Sequence, residues 1–312
     1  MRGRFDRSVE TAGMSDERED DPAIAGEPDR EPSINISGGA DGGGTVATFD
    51  PATADTRAER VVDRLGERYW QKTYGGQDAF TCLVRTILSQ NTSDVASQPA
   101  HDALIERYGV ASRSPSAAGE SGGLAESLAA ADRDELAETI RSAGLYNQKS
   151  KMIQEAAEWV LETHGSTDAF DDYVASGRPE EVRGELLSVR GVGPKTADCV
   201  MLFAGGRDGV FPVDTHVHRV SRRLGIALPD ADHEGVREAL EETVPEAKCG
   251  FGHTAMIQFG REYCAARKPA CLDGLEACPL ADLCDRVGVD TESGSVIDPA
   301  DAVDPSETSV PD

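Results

Sequence analysis

Residues 186–200 read LLSVRGVGPKTADCV, in which an apolar run leads into two glycines and then into a proline. The run Leu186–Val189 is typical of the end of an amphipathic helix. Gly191 and Gly193 permit a sharp turn, and Pro194 suits the first turn of a new helix because a backbone N–H there would have no intrahelical partner. The pattern predicts a helix, a glycine hairpin and a second helix.

The predicted hairpin is a candidate phosphate site. Backbone N–H groups at the start of the second helix lie at the positive end of its dipole, where they suit a phosphate oxygen. Because such a site uses backbone donors, it needs no net positive charge on the chain. The predicted contact residues are Arg190, Gly191, Val192 and Gly193.

Lys195 follows the hairpin inside the first turn of the second helix. The helix dipole disfavours a cation there, and partial burial acts in the same direction, so we expect a lowered pKa. An amine that is deprotonated part of the time can attack a sugar carbon and form a Schiff base. The alternative is that Lys195 pairs with a phosphate.

A second motif, VFPVDTHVHR, occupies residues 210–219. Asp214 follows a buried apolar stretch and precedes an amphipathic helix. One interpretation makes Asp214 the N-cap of that helix, and the other makes it a carboxylate that faces a cleft. His216 and His218 are interpreted as structural.

Apolar residues elsewhere recur at helical spacing. Phe80, Leu83, Val84, Ile87 and Leu88 form one helix face, and no convincing period-2 run occurs, so the predicted fold class is all-α. No apolar stretch of about 20 residues is present, and the first residues lack the apolar segment of a secretory signal. We therefore expect a cytoplasmic chain without a membrane span.

The chain is strongly acidic, with 57 Asp and Glu against 31 Lys and Arg and a net charge of −26. Residues 1–52 and 285–312 are acidic, rich in small and polar residues, and predicted to be disordered tails. The region between them is also acidic, which suggests adaptation to high salt. The alternative is an ordinary acidic protein with charged tails.

Four cysteines fall within 21 residues near the C-terminal end of the region between the tails: Cys264, Cys271, Cys278 and Cys284. Four thiolates match the ligand count of a [4Fe–4S] cluster or a zinc site. Zinc is the weaker interpretation because no C-x-x-C pair occurs. Arg267 and Lys268 lie between the first two cysteines and are predicted to form a basic patch for phosphate.

These motifs together resemble the helix-hairpin-helix DNA glycosylase superfamily, and most closely the endonuclease III family. LVRTILSQNTSD at 83–94 and SAGLYNQKSKMI at 142–153 extend the resemblance, which runs from about residue 55 to residue 284. It implies a two-domain all-α fold with DNA bound between the domains. The implied domains are a six-helix barrel over 72–208 and a [4Fe–4S] cluster domain formed by 53–71 plus 209–284.

The resemblance implies a bifunctional enzyme of base excision repair that acts on double-stranded DNA as a monomer. Such enzymes excise oxidised pyrimidines through a lysine Schiff base and then cut the abasic strand by β-elimination. The nucleophile matches Lys195 and the essential carboxylate matches Asp214. Asn91 and Leu145 match the two residues that fill the gap left by the flipped nucleotide.

Two departures from the family pattern stand out. The middle cysteine spacing is six residues where the family has two, and the chain is acidic where its relatives are basic. A local basic set is expected to line the cleft: Lys149, Lys151, Arg190, Arg219, Arg222, Arg223, Arg267 and Lys268.

Three other functions stay open from the sequence. The nearest is a monofunctional mismatch or adenine glycosylase of the same superfamily, whose members lack the lysine. The others are a non-catalytic DNA-binding module and an iron–sulfur redox protein.

Overall fold

A computed structural model describes residues 34–35, 47–70, 77–109 and 123–302. These residues belong to one compact unit that spans 32–312. Most of them are helical. The described residues form twelve α-helices: α1 Arg57–Gly66, α2 Ala79–Ser89, α3 Asp94–Tyr108, α4 Leu124–Ala129, α5 Arg133–Thr139, α6 Tyr146–His164, α7 Thr167–Ser176, α8 Pro179–Ser188, α9 Pro194–Phe203, α10 Thr215–Leu224, α11 His233–Thr243 and α12 Glu246–Glu262.

The β-structure of the described residues is limited to four two-residue strands. Strand β1 (Ile34–Asn35) pairs in parallel with β2 (Tyr69–Trp70), and β3 (Val289–Asp290) pairs antiparallel with β4 (Ser295–Val296). The all-α prediction is therefore confirmed. Within the described part of the chain, no helix is long and apolar enough to cross a membrane.

Two hydrophobic clusters form the core. The first core is built from α2 to α9 and includes Phe80, Ile153 and Phe170. The second core is built from α1, α10, α11 and α12 and includes Val61 and Phe259. The chain passes from the first core to the second at residues 210–211, just before the Asp214 motif.

Buried charges connect helices that are distant in sequence. In the second core, Lys248 of α12 pairs with Glu59 and Asp63 of α1 at 2.8 and 2.7 Å. This contact holds the N-terminal helix against the C-terminal one. Between the cores, Arg183 of α8 donates to Asp198 of α9 and to Glu234 of α11, both at 2.7 Å.

The prediction of a disordered N-terminal tail is wrong for the part of residues 1–52 that the structure describes. Besides the strand at 34–35, residues 47–52 are ordered against the second core. The Phe49 ring lies 4.4 Å from that of Phe251, and the Asp50 amide donates to Asp63 at 3.2 Å. One partly buried aromatic side chain, Phe49, anchors this polar segment, which composition alone does not reveal. Residues 1–33 and 36–46 lie outside the described residues.

The prediction of a disordered C-terminal tail is also wrong for residues 285–302. This segment forms the β3–β4 hairpin, which is held to α10 by two bonds. The Val287 amide donates to the Arg223 carbonyl at 3.1 Å, and Asp298 pairs with the buried guanidinium of Arg222. A buried arginine needs an acidic partner, and the segment supplies it. Residues 303–312 lie outside the described residues.

Candidate active site

The glycine hairpin joins α8 to α9 as the sequence predicts. Gly191 has φ of +85°, and α9 begins at Pro194. The amides of Gly191 and Gly193 donate no hydrogen bond within the part of the chain that the structure describes. Val192 differs, since its side chain is buried and its amide donates to the Val189 carbonyl at 3.0 Å. Val192 therefore supports the turn instead of offering a donor.

Gly191 and Gly193 have different tolerances for a side chain. A Cβ at Gly191 would stand 2.1 Å from Cε of Met152, in a backbone conformation that L-residues avoid. A Cβ at Gly193 meets nothing within 4 Å. The open space at Gly193 is where a ligand backbone can approach.

Gly191→Ala is expected to lower the free energy of unfolding by about 1–3 kcal/mol, because it combines positive φ with a clash. Gly193→Ala is the matched control and is expected to leave that free energy within about 0.5 kcal/mol. Urea unfolding of both variants checks the difference. An equal loss of unfolding free energy in the two variants would contradict the different tolerance of Gly191 and Gly193 for a side chain.

A cavity of about 490 Å³ opens beside the hairpin. Its walls come from four separate segments, which are the turn after α2, the hairpin with the start of α9, the stretch before α10 and the start of α11. The lining residues are Gln90, Asn91, Gly191, Gly193, Pro194, Lys195, Thr196, Asp198, Val213, His233, Glu234 and Arg237. Lys195 thus lies in a concave site next to the free hairpin amides.

Lys195 is partly exposed, and its electrostatic setting differs from the prediction. The pKa of Lys195 is raised, because the Cys199 side chain one turn along α9 and the Asp214 carboxylate outweigh the desolvation that lowers it. The predicted lowering is therefore wrong. Burial lowers the pKa as expected, but the Cys199 side chain and the Asp214 carboxylate favour the charged amine more strongly.

Asp214 is the helix N-cap that one of its two interpretations predicts, and its place in a cleft stays a prediction because it does not line the cavity beside the hairpin. Oδ1 accepts from the amides of His216 and Val217, each at 2.8 Å, so the residue is the N-cap of α10. Among the described residues, Oδ2 has no hydrogen-bond partner, and the carboxylate lies near enough to Lys195 to raise its pKa. One oxygen orients the carboxylate and the other is left for the site.

His253 of α12, which the sequence did not single out, lies behind the site and close enough to Lys195 and Asp214 to feel their charges. Its ring is buried, and Nδ1 donates to the Pro212 carbonyl at 2.7 Å. Burial, aided by the positive charge of Lys195, lowers the pKa of His253 to about 4, so the ring is neutral and Nε2 carries no proton. No local pattern marks this histidine, because its neighbours come from two distant segments.

Asn91 and Leu145 both stand on exposed turns with left-handed backbone, at φ of 52° and 48°. Leu145 is 58% exposed, so it is not a buried helix-end leucine. Gln90 fastens the Asn91 turn to the hairpin by donating to Gly191 O at 3.0 Å and to Thr196 Oγ1 at 3.1 Å. The Asn91 turn and the hairpin are thus connected to each other.

The expectation that all eight basic residues line the cleft is wrong for three of them. Lys149, Arg222 and Arg223 are buried and bonded inside the protein. Arg223, for example, donates to the carbonyls of Ala265 and Ala266 at 2.8 and 2.7 Å. Long side chains with several donors serve here to hold backbone carbonyls. The remaining exposed cations include Arg190, Arg267 and Lys268.

Two of these exposed cations have acidic partners. Arg190 stands 3.4 Å from Glu155, and Lys268 stands 3.2 Å from Asp273. Exposed pairs of this kind contribute little and are easily exchanged for a phosphate.

The four C-terminal cysteines line one small cavity next to α10 and α12. Arg223 approaches Cys264 Sγ at 3.5 Å, and the Arg286 amide donates to Cys284 Sγ at 3.3 Å. Donors aimed at sulfur are what a ligated thiolate requires. The donor set therefore fits a metal–thiolate group, although the middle spacing is longer than in the family.

Among the described residues, no group of three or more His, Cys, Asp or Glu side chains is arranged to hold a metal ion.

Comparison with known proteins bears on this site directly. Residues 84–246, just over half of the chain, match the family model of the HhH-GPD superfamily base excision DNA repair protein. The chain belongs to the HhH-GPD superfamily. The matched range contains the hairpin, Lys195 and Asp214.

Sequence relatives and solved structures agree with that family. Endonuclease III of Thermotoga maritima is 34% identical over 227 residues, which cover 73% of this chain and 92% of that protein. Endonuclease III of Synechocystis is 35% identical over 202 residues, or 65% of this chain and 78% of that protein. This HhH-GPD chain is thus an endonuclease III-like DNA glycosylase of base excision repair.

A solved structure of a trapped endonuclease III–DNA covalent intermediate is 30% identical, with a TM-score of 0.53 over 68% of this chain and 86% of that chain. A non-covalent endonuclease III–DNA complex matches with a TM-score of 0.52 and 30% identity.

Proposed function

We propose that the chain is a bifunctional DNA glycosylase and abasic-site lyase in which Lys195 is the nucleophile. The observation that supports this is that Lys195 lines one cavity together with Gly191 and Gly193 of the hairpin, and that the Asp214 carboxylate lies near enough to raise the pKa of Lys195. The covalent DNA intermediate of the structurally similar endonuclease III supports the same chemistry. Borohydride trapping on abasic DNA tests it.

The first chemical step needs Lys195 as a free amine. Its pKa is raised, so the resting side chain is an ammonium that must lose a proton before attack. The oriented carboxylate of Asp214 assists that loss and stabilises the cationic sugar as the base departs. Lys195 Nζ bonds to C1′ of the flipped nucleotide as the bond from C1′ to the base breaks. The C1′–O4′ bond then opens, O4′ takes up a proton, and the nitrogen is left as a protonated imine.

The lyase step follows from the imine. The positively charged C=N group acidifies the C2′ proton, and loss of that proton expels the 3′ phosphate by β-elimination. A nucleotide must leave the duplex for C1′ to reach the cavity. We propose that Asn91 and Leu145 fill the gap in the duplex, since both are exposed on turns and the Asn91 turn is bonded to the hairpin through Gln90.

The proposed partner is double-stranded DNA that carries oxidised pyrimidines or abasic sites, bound by a monomer in the cytoplasm. We place the DNA cleft between a domain over 72–208 and a domain of 53–71 plus 209–284. The two hydrophobic cores support this division. The proposed phosphate contacts are Arg190, Gly191 and Gly193 of the hairpin, with Arg267 and Lys268 at the cysteine loop.

We further propose a [4Fe–4S] cluster held by Cys264, Cys271, Cys278 and Cys284. When bound, it would cross-link the cysteine loop and so support the loop that carries Arg267 and Lys268. The residues of the chain that prepare this site are Arg223 and Arg286, whose N–H groups face sulfur. The extra residues between Cys271 and Cys278 form short 3-10 turns at the surface.

Cys284→Ser is expected to lose most of its iron, because a cluster held by three cysteines lacks one anchoring thiolate. The wild type is expected to contain about four iron and four sulfide per chain. The control is Cys249→Ala, which removes a buried thiol bonded to the Val244 and Pro245 carbonyls, away from the cavity. The measurement is the iron, sulfide and zinc content of each purified protein. One zinc ion per wild-type chain would contradict the proposed cluster.

Two alternative functions predict different products. A monofunctional glycosylase releases the base from lesion DNA but forms no borohydride adduct and leaves the strand intact. A non-catalytic module binds DNA and releases nothing. Measuring base release, strand cleavage and adduct formation on the same labelled duplex separates all three.

A further inference from the structure

Lys149 of α6 carries a buried ammonium that the proposed chemistry does not use. The residue is 2% exposed. Its Nζ donates to Leu88 O at 2.7 Å, to Thr92 Oγ1 at 2.7 Å and to Ala143 O at 2.9 Å. Within the described part of the chain, none of these partners is a carboxylate. All three donors of the ammonium are therefore used on backbone carbonyls and a hydroxyl.

The position of those carbonyls explains why a cation is stable there. Leu88 lies in the last turn of α2, and Ala143 ends the 3-10 turn Arg141–Ala143. Carbonyls at helix ends lack intrahelical partners and lie at the negative end of the peptide dipoles. Burial lowers the pKa of Lys149, and the two helix ends favour its charged form.

Both helix ends lead directly to the turns that carry the proposed gap-filling residues. Asn91 and Leu145 each adopt left-handed backbone, which asparagine tolerates but which is unfavourable for leucine by about 1–2 kcal/mol. Such conformations persist where surrounding bonds hold them. Thr92 supplies a second bond between the turns, because its hydroxyl also donates to Ala143 O at 2.5 Å.

We propose that Lys149 is a positioning residue that fixes the Asn91 turn and the Leu145 turn relative to each other, so that both side chains enter the duplex as one preformed unit. The proposal rests on the proposed function. A preformed pair does not have to be ordered on binding, so less binding free energy is spent when the nucleotide is flipped. Lys149 touches neither DNA nor the reacting atoms.

The test compares duplex DNA with single-stranded DNA, each containing one abasic site. Single-stranded DNA has no stack to open, so it needs Lys195 but not the gap-filling pair. In Lys149→Met, the single-turnover trapping rate on duplex DNA is expected to fall about tenfold. A loss of this size is typical when one charged hydrogen-bonding group is removed. On single-stranded DNA the rate is expected to stay within about twofold of wild type.

Gln154→Met is the matched control. Gln154 lies on the same helix, is also buried, and donates to the Ala129 and Ala131 carbonyls at 3.3 and 2.9 Å, away from both turns. Its loss destabilises α6 in a similar way and is expected to leave the ratio of duplex to single-stranded rates unchanged. If Lys149→Met does not fold, Thr92→Val is tested in its place. This variant removes the hydroxyl that bonds to both Lys149 and Ala143 O, and it is expected to lower the ratio of duplex to single-stranded rates.

Equal rate losses on the two substrates in Lys149→Met, or in Thr92→Val where that variant decides, would overturn the positioning role. An unchanged duplex rate would overturn it as well. Absence of any adduct with the wild-type chain would instead contradict the proposed function.

Discussion

Lys195→Gln is expected to abolish the borohydride-trapped adduct on abasic duplex DNA and to lower strand cleavage by at least about 10³-fold. Glutamine is close in length and polar, but its amide cannot form an imine. Lys195 is partly exposed at the cavity wall, so the change leaves no buried charge unpaired. The measurement is single-turnover trapping over a range from low to multimolar potassium chloride.

Binding and folding serve as the controls for this variant. The hairpin amides and the turns at Asn91 and Leu145 are unchanged, so affinity for abasic duplex is expected to stay within about fivefold. An adduct formed by Lys195→Gln at the wild-type rate would assign the nucleophile to another amine. Base release that survives without an adduct would instead indicate a monofunctional glycosylase.

Asp214→Asn is expected to lower the trapping rate by about 10²- to 10³-fold while the protein keeps its fold. Asparagine is as good an N-cap as aspartate, so the bonds to the amides of His216 and Val217 are retained. Only the negative charge is lost. The measurement is the single-turnover rate beside the melting temperature.

The sign of the pKa effect makes this variant informative. The Asp214 carboxylate raises the Lys195 pKa, so removing it increases the fraction of free amine. If amine deprotonation alone limited the rate, Asp214→Asn would be faster than wild type. A slower variant indicates that the carboxylate acts in proton transfer or on the cationic sugar.

Asp132→Asn is the matched control for the cap. Asp132 caps α5 through two amides at 3.0 Å and lies outside the candidate site. It is expected to show the wild-type trapping rate and the small stability change of a cap substitution. A loss of rate in Asp132→Asn equal to that in Asp214→Asn would assign the effect to helix capping.

Local sequence was a good guide wherever neighbouring residues decide the outcome. Two glycines followed by a proline predicted the hairpin, and the helical spacing of apolar residues predicted α2, because both signals depend on backbone chemistry within a few positions. The cap at Asp214 follows the same logic. The prediction of disordered tails failed over 47–52 and 285–302, because single contacts such as Phe49 on Phe251 are invisible to composition. The predicted high-salt adaptation stays a prediction.

The sequence by itself determined the chemical groups available to this HhH-GPD protein: one amine at a helix start, one capping carboxylate and four thiols close in the chain. The tertiary structure decided how those groups behave. It raises the pKa of Lys195 through Cys199 and Asp214, keeps His253 neutral, and turns Lys149 inward onto two helix ends. The reason is that pKa values and side-chain directions depend on atoms within a few ångströms, and here most of those atoms come from segments far away in the chain.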